Sequence, residues 1–108
     1  MDVKKRQIVR TNEKFLRDNV NSYEVTPHLI SCGIISLDDD ERIRQEITES
    51  DKTRKLLRII EMHPNGYLTF IKALRMENKE YIIEKLESTA VDEEEISRGM
   101  RISFDGIK

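Results

Sequence analysis

The sequence has little of what several classes of protein depend on. Its 108 residues include one cysteine, so no disulfide can form within the chain, and a reducing compartment is the simplest interpretation. No apolar run approaches the roughly 18 residues that a membrane-spanning helix needs, and no apolar signal core follows the basic N-terminal residues. These absences predict a cytoplasmic protein with no membrane partner.

The chain also lacks an excess of positive charge. It carries 19 lysines and arginines against 21 aspartates and glutamates, which gives a formal net charge of −2. A nucleic-acid-binding domain usually has a clear basic excess. We therefore expect no nucleic-acid partner, although a small helical nucleic-acid-binding domain remains an alternative because the basic residues are clustered.

Residues that could hold a metal or a phosphate are sparse. The four glycines are isolated, so there is no glycine-rich phosphate loop. The two histidines and Cys32 do not form a ligand set. The run from Asp38 to Glu41 lacks the alternating spacing and central glycine of a calcium-binding loop and is typical of an acidic helix start. We expect neither a metal nor a cofactor.

One pair of residues could support nucleophilic catalysis. His28 and Cys32 are four positions apart and could share a helix face. No third residue to orient the histidine and no oxyanion element accompanies them. We therefore expect Cys32 to be a small buried side chain and the protein not to be an enzyme.

What the sequence does have is helical periodicity. Apolar residues recur at helical spacing in six segments, at about residues 3–20, 26–33, 36–48, 50–63, 67–76 and 79–88. Asn12 interrupts the apolar face of the first segment and marks a possible bend. Thr26-Pro27 is typical of a helix start, and Gly33 of a helix end. Ser36 with Asp39 favours the start of the third helix, and Ser50 with Asp51 favours the start of the fourth.

These segments predict an all-α, six-helix antiparallel bundle with short connections. We expect Leu57, Ile60, Ile71 and Leu74 in its core. Beyond Ser88 the pattern fades into an acidic run. The predicted organisation is a helical domain over residues 1–89, followed by an acidic linker or C-terminal extension over residues 90–108.

Charge is segregated along the chain. Residues 36–51 contain seven acids and two bases, residues 52–58 contain four bases and no acid, and residues 2–10 contain four bases and one acid. Opposite patches on one small domain allow copies or relatives to stack head to tail, in contacts that can propagate into filaments. They also speed association and make it sensitive to salt.

Three stretches of the sequence occur in the same order as in a known protein family. Residues 25–43 and 51–60, and then 66–74 before a final amphipathic helix, resemble the caspase recruitment domain family, and the resemblance covers about residues 5–88. It implies a six-helix death-fold bundle whose first helix bends at Asn12. It also implies homotypic assembly with other caspase recruitment domains, or with itself, in apoptotic or innate-immune signalling. Another death-fold adaptor is the alternative within this class.

The resemblance also implies which residues bind the partner. In the family a basic surface on helices one and four meets an acidic surface on helices two and three. The corresponding basic residues of this sequence are Arg10, Lys14, Arg54, Lys55 and Arg58. The corresponding acidic residues are Asp38, Asp39, Asp40 and Glu41. Whether the assembly is a simple pair or a helical oligomer stays open at this point.

Overall fold

The computed structural model describes residues 1–90, and within them it is an all-helical bundle of the death-fold type. The predicted extension over residues 90–108 lies, apart from its first residue, outside the described part. The helices are α1 (Val3–Thr11), α2 (Glu13–Asn19), α3 (Ser22–Ser31), α4 (Leu37–Arg44), α5 (Glu49–Ile60), α6 (Gly66–Met76) and α7 (Glu80–Glu87). None of these helices is both long and apolar enough to cross a membrane.

The first predicted helix is bent at Asn12 and divides there into α1 and α2. Asn12 is buried, and its side-chain amide donates to the Ile8 carbonyl at 2.8 Å and to the Thr89 hydroxyl at 2.7 Å. A buried amide needs such partners, because an unsatisfied polar group in the interior is costly. The polar residue that interrupts the apolar face therefore causes the bend and also ties it to the end of α7.

The predicted start of the second helix was wrong. Helix α3 begins at Ser22, four residues before Thr26, and the Asn21 side chain caps it by accepting a hydrogen bond from the Tyr23 amide at 2.9 Å. Pro27 lies inside α3. Because proline has no backbone N–H, the Tyr23 carbonyl in the first turn does not receive the usual helical hydrogen bond. The predicted end is confirmed, since Gly33 adopts a φ of +76°.

Helices α4 and α5 differ from the prediction at the end they share. The start of α4 is confirmed, since Ser36 and Asp39 form a reciprocal capping box. However, α4 ends at Arg44, and the next helix starts with Thr48 rather than Ser50 as its cap. Ile47 lies between the two helices and is 92% exposed, so the apolar stripe of α4 does not extend to it.

The core is continuous through the bundle. The predicted core residues are confirmed as buried: Leu57, Ile60, Ile71 and Leu74. Helix α5 lies against α2, α3, α4 and α6, so it is the central element of the fold. The start of α6 lies so close to the end of α5 that a Cβ on Gly66 would collide with the Ile60 carbonyl. Burying α5 on several sides leaves one face of it at the surface, and that face carries the basic residues.

Candidate protein-interaction surfaces

The five predicted basic residues lie on three helices. Arg10 is on α1, Lys14 is on α2, and Arg54, Lys55 and Arg58 are on α5. We call these five residues the basic surface. Its three members on α5 line one cavity. Arg10 and Arg58 are brought together by a residue that the sequence did not single out, Glu61.

Glu61 is a buried carboxylate held by two arginines of the basic surface. Its side chain is 5% exposed. Arg10 donates to it from Nε at 3.0 Å and from Nη2 at 2.8 Å, and Arg58 donates from Nη1 at 2.9 Å. The carboxylate therefore joins α1 to the C-terminal end of α5, across 51 residues of sequence.

These contacts set the ionisation of the group. Burial raises the pKa of Glu61, but the hydrogen bonds from Arg10 and the charge of Arg58 outweigh it and hold that pKa below 4.5. The hydrogen bond to Glu61 correspondingly raises the pKa of Arg10. Glu61 is therefore ionised at neutral pH, and a buried charge of this kind requires both partners.

The ion pairs continue along the same surface into α2. Arg58 also pairs with Glu13, which lies 3.9 Å from Arg17. Arg17 reaches Asp51 at 3.7 Å, and Asp51 lies 3.9 Å from Arg54. The basic surface is thus part of a network of alternating charges that joins α1, α2 and α5.

Two lysines of the basic surface lie outside this network. Lys14 is 89% exposed and, among the described residues, pairs only with Asp18, one turn along the same helix, at 3.1 Å. Within residues 1–90, Lys55 has no acidic partner, and it lines two cavities, one of which lies beside α4. Lys55 is therefore a cation whose charge is available to a partner.

We call the four predicted acidic residues at the start of α4 the acidic surface, and two of its members are occupied by α4 itself. Asp39 closes the capping box with Ser36 and lies 3.5 Å from Arg42. Asp40 accepts from Arg44 Nε at 3.3 Å. By contrast, Asp38 and Glu41 are exposed and, within the described residues, have no basic partner.

The basic and acidic surfaces adjoin. A single cavity lies between α4 and the end of α5, and its lining residues are Asp39, Arg42, Lys55, Arg58, Ile59, Met62 and His63. Met62 is largely exposed at this position. The arrangement offers a partner charges of both signs around an apolar contact, which is the usual composition of a protein-binding surface.

Arg44 was not among the predicted site residues, and it fixes α4 against α3. Its Nη2 donates to the Ser22 hydroxyl at 3.0 Å, and its guanidinium lies 3.9 Å from the centre of the Tyr23 ring. The hydrogen bond with Arg44 lowers the pKa of Tyr23. Stacked guanidinium groups hold an orientation well, so Arg44 determines how α4 presents its acids.

The remaining candidates do not form a catalytic site. The expectation that Cys32 is buried was wrong: the thiol is exposed at the end of α3. His28 hydrogen-bonds Glu77 through Nε2 at 2.8 Å rather than pairing with Cys32. Across residues 1–90, no three side chains of the metal-binding types are grouped closely enough to hold an ion.

Glu61 is the main residue that sequence reasoning missed. Its one sequence signal is its position three residues after Arg58, on the same face of the helix. Its contact with Arg10 depends on the tertiary fold and has no local signature. The spacing could have suggested one ion pair, but not a buried carboxylate shared by two helices.

The comparisons with known proteins agree with this architecture. The family model described as the caspase recruitment domain matches residues 6–89. The chain is also 27% identical to human apoptotic protease-activating factor 1 over 75 residues, or 68% of the chain, and 25% identical to the mouse protein over 89 residues, or 82%. It spans only 6% and 7% of the length of these two relatives. Because the family model matches most of the chain, the protein belongs to the caspase recruitment domain family.

Proposed function

We propose that this domain is a protein-interaction module that assembles homotypically with other caspase recruitment domains, or with itself, in apoptotic or innate-immune signalling. One observation carries the proposal. Lys55 on α5 faces the cavity beside α4, whose Asp38 and Glu41 carry the opposite charge and are likewise without a partner in the described residues. Charged side chains that are not paired within the folded domain can form ion pairs with a partner.

The comparisons support the biological setting. The human and mouse relatives are named as apoptotic protease-activating factors. We propose that the module acts in the cytoplasm, in a complex that brings signalling proteins together, and that it has no catalysis of its own.

We propose an order of importance among the predicted site residues, based on how far each one is already paired within the domain. Arg10 and Arg58 already donate to Glu61, so a partner would contact only their remaining N–H groups. Lys55 has all three of its donors available, and Asp38 and Glu41 have all their acceptors. We propose that these three residues contribute most to salt-dependent association.

Two alternatives are weaker. Nucleic-acid binding would use the cations of α5, but Glu61, Glu13 and Asp51 neutralise most of that charge within the chain. Another death-fold adaptor is not needed to explain the chain once its family is known. Absence of any shift of a labelled duplex at low salt would dismiss the first alternative.

The test is charge reversal at the available positions. Lys55→Glu and Asp38→Lys should each weaken assembly about tenfold at low salt, because replacing an attraction by a repulsion at a surface site costs about 1–2 kcal/mol. Lys72→Glu, at an exposed lysine on α6, is the matched control. Light scattering across salt concentrations, with a second caspase recruitment domain added if the wild type stays monomeric, measures the effect.

The combination of the two reversals sharpens the result. Each single variant keeps one native surface, so a mixture of Lys55→Glu with Asp38→Lys should form pairs but not longer assemblies. Equal assembly of the wild type and both reversals, in self-association and with the added domain, would place the interface elsewhere on the bundle.

A further inference from the structure

The described chain ends beside the basic surface. Thr89 accepts a hydrogen bond from the Asn12 side chain at 2.7 Å, and its own hydroxyl donates to the Lys85 carbonyl at 2.8 Å. Asn12 is two residues from Arg10 and two from Lys14, both members of the basic surface. The part of the chain that the structure describes therefore ends beside the junction of α1 and α2.

The sequence that follows is acidic. Asp92, Glu93, Glu94 and Glu95 are consecutive, and they begin three residues after Thr89. Because an extended chain spans at most about 3.5 Å per residue, the chain from Thr89 is long enough for Asp92 to reach about 10 Å and for Glu95 to reach about 20 Å. The whole acidic run is within reach of the helix junction.

The exposed side chains around the junction include several cations. The side chains of Arg10 and Lys14 are 51% and 89% exposed, while those of their acidic neighbours Glu61 and Glu13 are 5% and 23% exposed. Asp18 offsets part of the charge of Lys14. A further cation comes from α7, since Lys85 lies 5.8 Å from the ring centre of Phe15 on α2. An approaching acidic segment thus meets three accessible cations, Arg10, Lys14 and Lys85.

We propose that residues 92–95 of this chain bind this junction in cis and compete with an acidic partner for Arg10 and Lys14. The competitive part rests on the proposed function, because it assumes that the partner uses the basic surface. The contact itself does not. Its occupant is identified by where the described chain ends, by the length of chain that follows and by complementary charge.

A tether makes even a weak contact significant. A segment attached by a few residues has an effective concentration in the millimolar range. If the free segment bound with a dissociation constant of about 0.1–1 mM, the junction would be open in about a tenth to a half of the molecules. Apparent affinity scales with that open fraction, so neutralising the segment should strengthen assembly about twofold to tenfold.

The first measurement compares chains of all 108 residues by amide NMR. The variant D92N/E93Q/E94Q/E95Q removes the acidic run, and Asp105→Asn removes an acid farther along as the control. We expect the four-residue variant, but not the control, to shift amides at residues 10–17 and 85–89 and to leave residues 64–72 unchanged. High salt should shift the wild type in the same way, because it screens the contact. Identical wild-type and variant spectra over residues 1–89 would overturn the proposal.

Carbodiimide cross-linking of the monomer tests the same contact without any partner protein. The expected products join Lys14 or Lys85 to residues 92–95 within one molecule. Products spread equally over Lys4, Lys5 and Lys72 would overturn the proposal, and so would products found only between isotopically distinct copies. If these links form but the neutralised variant assembles no better than the wild type, the cis contact stands and the proposed competition fails.

Discussion

The basic and acidic surfaces differ in how their charges are paired. Arg10 and Arg58 pair with acids 51 and 45 residues away in the sequence, and they hold separate helices together. Asp39 and Asp40 pair within α4, three and four residues along the same helix. Charge on the basic surface therefore joins separate helices, whereas charge on the acidic surface supports only α4 itself.

This difference matters for any mutational study of assembly. Loss of binding after a change at Arg58 is ambiguous, because the arginine also neutralises two carboxylates. Loss of binding after a change at Asp38 has a simpler cause, since that side chain is exposed and, within residues 1–90, has no basic partner. The following predictions test the contrast, from the largest expected effect on stability to the smallest.

Arg58→Glu should produce the largest loss. It would place a third carboxylate beside Glu61 and Glu13 and leave the buried Glu61 charge short of a partner. Breaking a buried pair costs about 3–5 kcal/mol, and we expect about 3 kcal/mol here because Arg58 itself is a third exposed. Urea denaturation followed by circular dichroism measures the free energy of unfolding. A loss below about 1 kcal/mol would show that the network does not stabilise the fold.

Acid should destabilise the protein partly through Glu61. A carboxyl group whose pKa is lowered in the folded state adds stability above its unfolded pKa, and that stability is lost as pH falls through the folded value. The stability that Glu61 contributes should therefore be lost as the pH falls below about 4.5. Glu61→Gln should be less stable than the wild type at pH 7 and should lose less stability between pH 5 and pH 2. Parallel pH profiles for the two proteins would contradict the assignment.

Removing the α4 cap should have an intermediate effect. Ser36→Ala deletes the hydroxyl that accepts from the Asp39 amide, which usually costs about 1 kcal/mol. Thermal unfolding should show the loss, and assembly should weaken because the cap holds Asp39 in the acidic surface. Ser31→Ala, at an exposed serine on α3, is the control. A change within 0.5 kcal/mol for Ser36→Ala would mean that α4 starts without help from its cap.

Lys55→Ala and Asp38→Asn should have the smallest effect on stability. Asp38 is exposed and Lys55 is half-buried, and neither has a partner in the described part of the chain. Substitutions at such surface positions usually change the free energy of unfolding by less than about 0.5 kcal/mol. Both variants should nevertheless assemble less well than the wild type. If either variant unfolds at a markedly lower urea concentration than the wild type, the substituted residue also supports the fold. The contrast between the two surfaces would then be wrong for that residue.

Sequence reasoning succeeded where the cause was local. The bend at Asn12 follows from a polar residue on an apolar face, and the start of α4 follows from the Ser36 and Asp39 pattern. The core positions Leu57 and Ile60 follow from helical periodicity. In each case residues within one or two turns determine the outcome, so a single sequence is enough.

It failed where the cause was distant or where two local signals competed. Thr26-Pro27 predicts a helix start, but Asn21 caps α3 earlier and Pro27 lies inside the helix. The contact between Arg10 and Glu61 joins residues that only the fold brings together. For the same reason the sequence could place charges on surfaces but could not tell which of them were already paired.

Gly66 places a different limit on how this domain can vary. The collision with the Ile60 carbonyl involves backbone, so no rotamer change or solvent rearrangement relieves it. A library that varies every position should lose almost every substitution at Gly66 in a selection for folded protein alone. The same library should accept most substitutions at Lys55 and Asp38 until a binding partner is added to the selection. The difference between the two selections would map the interface without knowledge of the partner's structure.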